Sequence, residues 1–96
     1  MLVLVAYDVN TQTPEGRRRL RRVAQQCVNY GVRVQKSVFE CLLRDQDWIR
    51  FRTGLLKEYN GEQDSLRFYF LDESARAKTE HHGCAKPIDL DGTLIA

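Results

Sequence analysis

Leu2-Val3-Leu4-Val5-Ala6-Tyr7-Asp8-Val9 decides the fold. The run is apolar, rich in branched side chains, and too short to be a buried helix. Leu2, Leu4, Ala6 and Asp8 fall on one face of an extended chain; Val3, Val5, Tyr7 and Val9 fall on the other. Both faces are apolar, so the strand is central and covered on both sides. It ends in a carboxylate. Asn10-Thr11-Gln12 reads as a loop. Thr13-Pro14-Glu15 then starts a helix: Thr13 as cap, Pro14 in the first turn, Glu15 at the positive end of the dipole.

Working outward, the helix runs to about Tyr30 and stops at Gly31. Leu20, Val23, Ala24, Cys27 and Val28 make its apolar stripe at spacings of three and four. Arg17, Arg18, Arg21 and Arg22 spread over the adjoining arc, with Arg19 on the far side. Residues 32–43, VRVQKSVFECLL, read as two short strands or one strand kinked near Gln35-Lys36. A second helix follows, with Asp45 as its cap. Its stripe is Trp48, Phe51, Leu55 and Tyr59, with Ile49 and Leu56 beside it, and Asn60-Gly61 ends it. Residues 65–71, SLRFYFL, read as a strand, 72–86 as a polar linker, and IDLDGTLI after Pro87 as a weak strand.

The order β-α-β-β-α-β plus one C-terminal strand predicts an α+β, ferredoxin-like split βαβ fold. Residues 1–71 would form the domain. Residues 72–96 would form a linker and a strand packing on a partner. In this fold both helices lie on one side of the sheet, and nothing in the chain covers the other. A partner molecule is the simplest cover, and dimerisation is worth expecting for so small a core. The chain's 96 residues support one small domain with little core to spare. No apolar run nears the ~18 residues of a membrane span, and the start lacks a basic leader segment. The expected location is the cytoplasm, with no membrane partner.

The formal net charge is only +2, but it is unevenly spread: residues 17–52 carry ten Lys or Arg against three acids. Eleven of the 15 cations are arginine, whose forked guanidinium suits phosphate. A localised polyanion contact is one reading, a solvated helix face the other. Of three cysteines, Cys27 and Cys41 sit in apolar patterns and read as small core residues. His81-His82-Gly83-Cys84 is too sparse for a four-ligand zinc site.

Asp8 carries the sharper chemistry. At the rim of a sheet it is either a loop carboxylate accepting backbone N–H bonds or a cation ligand. Mg²⁺ uses few protein carboxylates and keeps several waters. One Asp8 per chain is thin for such a site, whereas a two-fold dimer would supply two.

Tyr7-Asp8-Val9 ending the first strand, the Arg-rich helix from Gly16, and Tyr30-Gly31-Val32-Arg33-Val34-Gln35-Lys36-Ser37-Val38-Phe39-Glu40 together resemble the small universal CRISPR adaptation family, Cas-two. The resemblance spans essentially the whole chain. It implies a symmetric homodimer and a metal-dependent endonuclease acting on single-stranded RNA or on duplex DNA. It implies Asp8 as the catalytic and metal-binding residue, with Mg²⁺ or Mn²⁺ as cofactor. By the same resemblance Tyr7, Arg33, Ser37 and Phe39 belong to the nucleic-acid site, with Arg17 and Arg18 the best matches for the family's helix arginines. The larger integrase, Cas-one, is the implied partner in spacer acquisition. A non-catalytic DNA-holding scaffold is the alternative function. Each residue also has a plainer role: Tyr7 and Phe39 could simply pack, Ser37 serve a turn, and Arg33 pair with Glu40. An aromatic RNA platform at Arg67-Phe68-Tyr69-Phe70 is disfavoured, because such modules carry their main motif on the third strand and with glycines. The fold alone leaves open a small-molecule regulatory domain.

Overall fold

Alternation of branched and apolar residues makes the N-terminal segment a strand, β1 (Leu2–Asp8), in the computed structural model, which describes residues 1–83. Helix α1 (Pro14–Tyr30) follows, then β2 (Val32–Gln35), β3 (Val38–Leu42), α2 (Asp45–Glu58) and β4 (Ser65–Leu71). The four strands form one sheet in the order β2-β3-β1-β4, and every pairing is antiparallel. With α1 and α2 on one side of it, this is the ferredoxin-like arrangement expected from the sequence. The C-terminal strand expected after Pro87, its packing on a partner, and Cys84 lie outside the described residues.

The two faces of β1 are divided as its alternation predicts. Val3, Val5, Tyr7 and Val9 are buried in one core with Val23 and Cys27 of α1, Phe39 and Cys41 of β3, and Phe51 and Leu55 of α2. Tyr30 closes the junction between the helices, its ring 4.9 Å from that of Phe51. The opposite face bears no helix. Register sorts it into rungs: Leu42, Leu2 and Leu71 share one, Glu40, Leu4 and Tyr69 the next, Val38, Ala6 and Arg67 the third, and Asp8 and Ser65 the last. Leu42, Tyr69 and Leu71 are about two-fifths exposed there (45%, 41% and 40%). This apolar surface on the bare side is what a second layer would cover.

Several local expectations shift. Val28, placed in the apolar stripe of α1, is half exposed. Asp45 is the first residue of α2 rather than its cap. Arg44 holds the cap position, makes no capping side-chain bond, and reaches Asp47 instead at 3.1 Å. Tyr59 lies just past the end of α2. Gly31 does end α1, but with extended backbone rather than a left-handed turn. Glycine is needed for closeness: a Cβ there would sit 2.3 Å from Cys41 Sγ and 2.6 Å from the Glu40 carbonyl. The polar stretch after β4 is not purely a linker. Asp72 caps a short 3-10 turn, Glu73–Arg76, and the Met1 ammonium lies 3.4 Å from Glu73.

Cys27 and Cys41 are fully buried, and burial pushes both thiols up to about 12. They are packing residues, inert while the fold holds. A Cys84→Ser chain should therefore bind no thiol reagent under native conditions and two equivalents in denaturant. Native labelling of either cysteine would contradict this burial.

Candidate functional site

Strand β1 delivers Asp8 to the rim of the sheet on the bare side, where the residue is exposed. Among the described residues no hydrogen bond or ion pair reaches its carboxylate. Ser65 lies opposite on β4. On the other side the β1–β3 register continues one step beyond Ala6–Val38: the Tyr7 N–H donates to the Ser37 carbonyl at 3.0 Å.

Lys36 and Ser37 are the turn of the β2–β3 hairpin, so the segment from Val32 to Leu43 is two strands rather than one. The hairpin is fixed from beneath. The Tyr7 hydroxyl donates to the Lys36 carbonyl at 3.4 Å, and the Tyr7 ring stacks on Phe39 at 6.2 Å. The Arg33 guanidinium lies 5.0 Å from the centre of the Phe39 ring, a cation–π contact in place of a pair with Glu40. Burial pushes the Tyr7 phenol up, against the pull of Arg33 beside it. Tyr7, Arg33, Ser37 and Phe39 are thus brought together, as one cluster, on the far side of the sheet from the Asp8 side chain. Tyr7 is 6% exposed and Phe39 0%.

Arg17 and Arg18 stand exposed on α1, in the helix layer. Arg17 Nη1 donates to the Thr11 carbonyl at 3.1 Å, and Arg18 lies 3.6 Å from Glu15. Arg21 and Arg22 continue the exposed row, with Arg22 3.9 Å from Glu58. The row is a basic surface, separated by the sheet from the face that bears Asp8.

Sequence reasoning missed Asp64, and set Arg19 on the far side of its helix without giving it a partner. The Asp64 side chain has 0% exposure. It accepts the Asn10 N–H at 3.0 Å, the Asn60 N–H at 2.8 Å and the Arg19 Nε–H at 2.8 Å. Arg19 holds this carboxyl below its ordinary range, and the two backbone N–H groups add to the effect against a desolvation cost. The loop that follows Asp8 is thereby anchored to α1 and to the segment entering β4. The available signal was Arg19 itself, set apart on its helix from the other arginines.

Gly16, in the first turn of α1, is the second device that seats that loop. A Cβ on it would lie 1.9 Å from the Asn10 carbonyl oxygen. Gly16→Ala must push the loop away, and should cost about 2 kcal/mol in urea denaturation while lowering any Asp8-dependent activity. Unchanged stability would mean that the loop yields freely.

One carboxylate and no group of three or more His, Cys, Asp or Glu side chains mark this site among the described residues. A lone exposed carboxylate oxygen fits a hydrated Mg²⁺ or Mn²⁺, which needs few protein ligands; it does not fit a caged zinc. No helix among the described residues is long and apolar enough to cross a membrane.

Comparison with known proteins converges on one group. The family model described as CRISPR associated protein Cas2 matches residues 1–79. The CRISPR-associated endoribonuclease Cas2 of Chlorobaculum tepidum is 58% identical over 95 residues, covering 99% of each chain. The CRISPR-associated endonuclease Cas2 of Halalkalibacterium halodurans is 45% identical, again with 99% of each chain covered. The crystal structure of Streptococcus pyogenes Cas2 at pH 6.5 superposes with a TM-score of 0.77 at 47% identity, covering 86% of this chain and 100% of that one.

Proposed function

The chain belongs to the CRISPR-associated Cas2 family, and from that premise we propose that two copies of it form a divalent-metal-dependent endonuclease that hydrolyses phosphodiester bonds of RNA or DNA. The observation that carries this reading is the Asp8 carboxylate, exposed and without a partner among the described residues, at the end of an otherwise buried strand. Names of relatives support the activity and leave the substrate open, since one is called an endoribonuclease and another an endonuclease.

In the proposed dimer, the bare apolar face of one sheet packs on that of the other, and the two Asp8 carboxylates meet across the axis. They would hold Mg²⁺, or Mn²⁺ in its place. Bound there, it would supply charge neutralisation at phosphate and a more acidic water near neutral pH. The chain's own residues supply the rest. Tyr7, Phe39 and Arg33 keep the hairpin turn beside Asp8, and the Asp64–Arg19 pair keeps the loop behind it. Attack of water on phosphorus breaks one P–O ester bond, and the proton passes to the leaving oxygen or to solvent.

A second reading is favoured by one observation: the exposed row Arg17, Arg18, Arg21 and Arg22 lies in the helix layer, on the other side of the sheet from the Asp8 side chain. It suits a duplex held away from the carboxylates, as in a non-catalytic scaffold working with the integrase, the Cas-one family, during spacer acquisition. One experiment separates the two. Purified wild type and Asp8→Ala are compared on labelled RNA and DNA with Mg²⁺ or EDTA, beside spacer acquisition in cells. Cleavage lost in Asp8→Ala and in EDTA supports the endonuclease. Equal cleavage by both proteins would sink it, and acquisition lost only on charge reversal of the α1 arginines would leave the scaffold.

A further inference from the structure

We propose that Arg67 of each copy forms an ion pair with the partner's Glu40, twice across the two-fold axis, and that these pairs set the register in which the two Asp8 carboxylates meet; this rests on the paired-copy reading above. On β1, β3 and β4 the bare face carries three charged side chains: Asp8, Glu40 and Arg67. All else there but Ser65 is aliphatic or aromatic. Glu40 is half-buried and Arg67 exposed, and neither has an ion pair or hydrogen bond among the described residues. Within one copy β1 lies between them. A second layer over this face takes both charges out of water, and a buried charge without a partner is strongly unfavourable. The surface therefore fits a partner that brings one acid and one base of its own, as a second copy does.

The direction of the axis decides what each charge meets. An axis running across the strands at Asp8 would leave the Leu42, Leu2 and Leu71 rung, at the far end, uncovered. An axis running along β1 covers the whole face and still brings the two Asp8 residues together. Each β1 then lies over the other, and β4 lies over the partner's β3. Rung for rung, Leu71 faces the partner's Leu42, Tyr69 faces the partner's Glu40, and Arg67 faces the partner's Val38. Arg67 is thus one rung from that carboxylate, and its own contact closes the gap. Its guanidinium lies 5.6 Å from the centre of the Tyr69 ring, so it already reaches toward the rung that the partner's Glu40 faces. Packed sheets stand about 10 Å apart and same-face rungs about 7 Å apart, so the two Cα atoms are about 12 Å apart, within the joint reach of an arginine and a glutamate. Stacking orients the guanidinium fork but uses none of its N–H groups, which remain for the carboxylate. Two facing Asp8 carboxylates repel each other. The two pairs offset that repulsion, and a shifted sheet would leave their charges stranded.

Charge reversal tests the pair, read by sedimentation velocity with circular dichroism as the check on folding. Arg67→Glu sets two carboxylates against each other at both contacts, and Glu40→Arg sets two guanidinium groups against each other. Each variant alone should stay folded and should raise the dimer Kd by about 100-fold or more. An equimolar mixture of the two restores opposite charges at both contacts, so it should dimerise nearly as well as wild type. The double variant Arg67→Glu with Glu40→Arg should do the same by itself. Cleavage in Mg²⁺ should be lost in each single variant and should return in the mixture. If either single variant dimerises like wild type, the pair is overturned and the endonuclease reading still stands on Asp8. The same holds if the mixture and the double variant both stay monomeric. Should a single variant unfold, the double variant decides: a dimer supports the pair and a monomer overturns it. A monomeric wild type would overturn the pair and the shared site together. If wild type and the mixture are dimers and neither cleaves, the pair is supported and the hydrolytic reading fails.

Discussion

Asp8→Asn is expected to lower cleavage by about 10³-fold or more while leaving the melting temperature and the oligomeric size unchanged. Asparagine keeps the shape and one oxygen of the side chain and removes only the charge. Asp8 is exposed at the end of β1 and supports no contact among the described residues, so its loss takes nothing from the core. The variant therefore separates chemistry from folding more cleanly than a truncation. Two-fold symmetry adds a quantitative consequence. If both carboxylates are needed, only wild-type pairs are active, and an equal mixture of wild type and Asp8→Asn refolded together should retain about a quarter of the activity. Retention of half would mean that each copy works alone, and the shared-site reading would be wrong. Full cleavage by the pure variant would dismiss Asp8 altogether.

Much of the scaffold was legible because it is written in local patterns. The alternation in Leu2–Asp8 assigned each side chain to the face on which it is found. Thr13 does accept the Gly16 N–H, at 3.1 Å, and α1 ends at Tyr30. The strand at Ser65–Leu71 has the limits expected. What escaped is non-local. Nothing near Ser65 in the chain says that it stands opposite Asp8; that follows only from strand register, which pairing fixes and composition does not. The same holds for Asp64, whose partners Asn10 and Arg19 lie 54 and 45 residues away in sequence. Val28 misled because helical periodicity gives the direction of a stripe, while how far a neighbouring helix covers it depends on packing. The resemblance gave Asp8 to metal and Tyr7, Arg33, Ser37 and Phe39 to nucleic acid. The fold sets the Asp8 side chain on one face of the sheet and the two rings and the guanidinium on the other.

That division makes the supports as testable as the carboxylate, and Asp64 is the strongest of them. Asp64→Ala should destabilise the chain by about 3 kcal/mol, because it strands two backbone N–H groups and a guanidinium that share one carboxylate. The loss should fall short of that for a dry ion pair, since Arg19 keeps 15% of its side-chain surface in water and is partly screened. Asp64→Asn, which retains an acceptor oxygen, should cost less, and its deficit should depend on pH. Arg19 holds the folded carboxyl below its ordinary value of 3.8, so the unfolded chain binds this proton more readily than the folded one. The stabilisation is then complete above that value and drains away as pH falls below it toward the folded pKa. In urea denaturation, the gap between wild type and Asp64→Asn should be flat from about pH 7 to about pH 5 and should narrow below about pH 4. A gap that persists unchanged to about pH 2 would assign the cost to packing rather than charge. Because Asn10 lies two residues beyond Asp8, the same substitutions should also reduce cleavage under conditions where the chain remains folded. Full activity there would show that the loop positions Asp8 without its anchor.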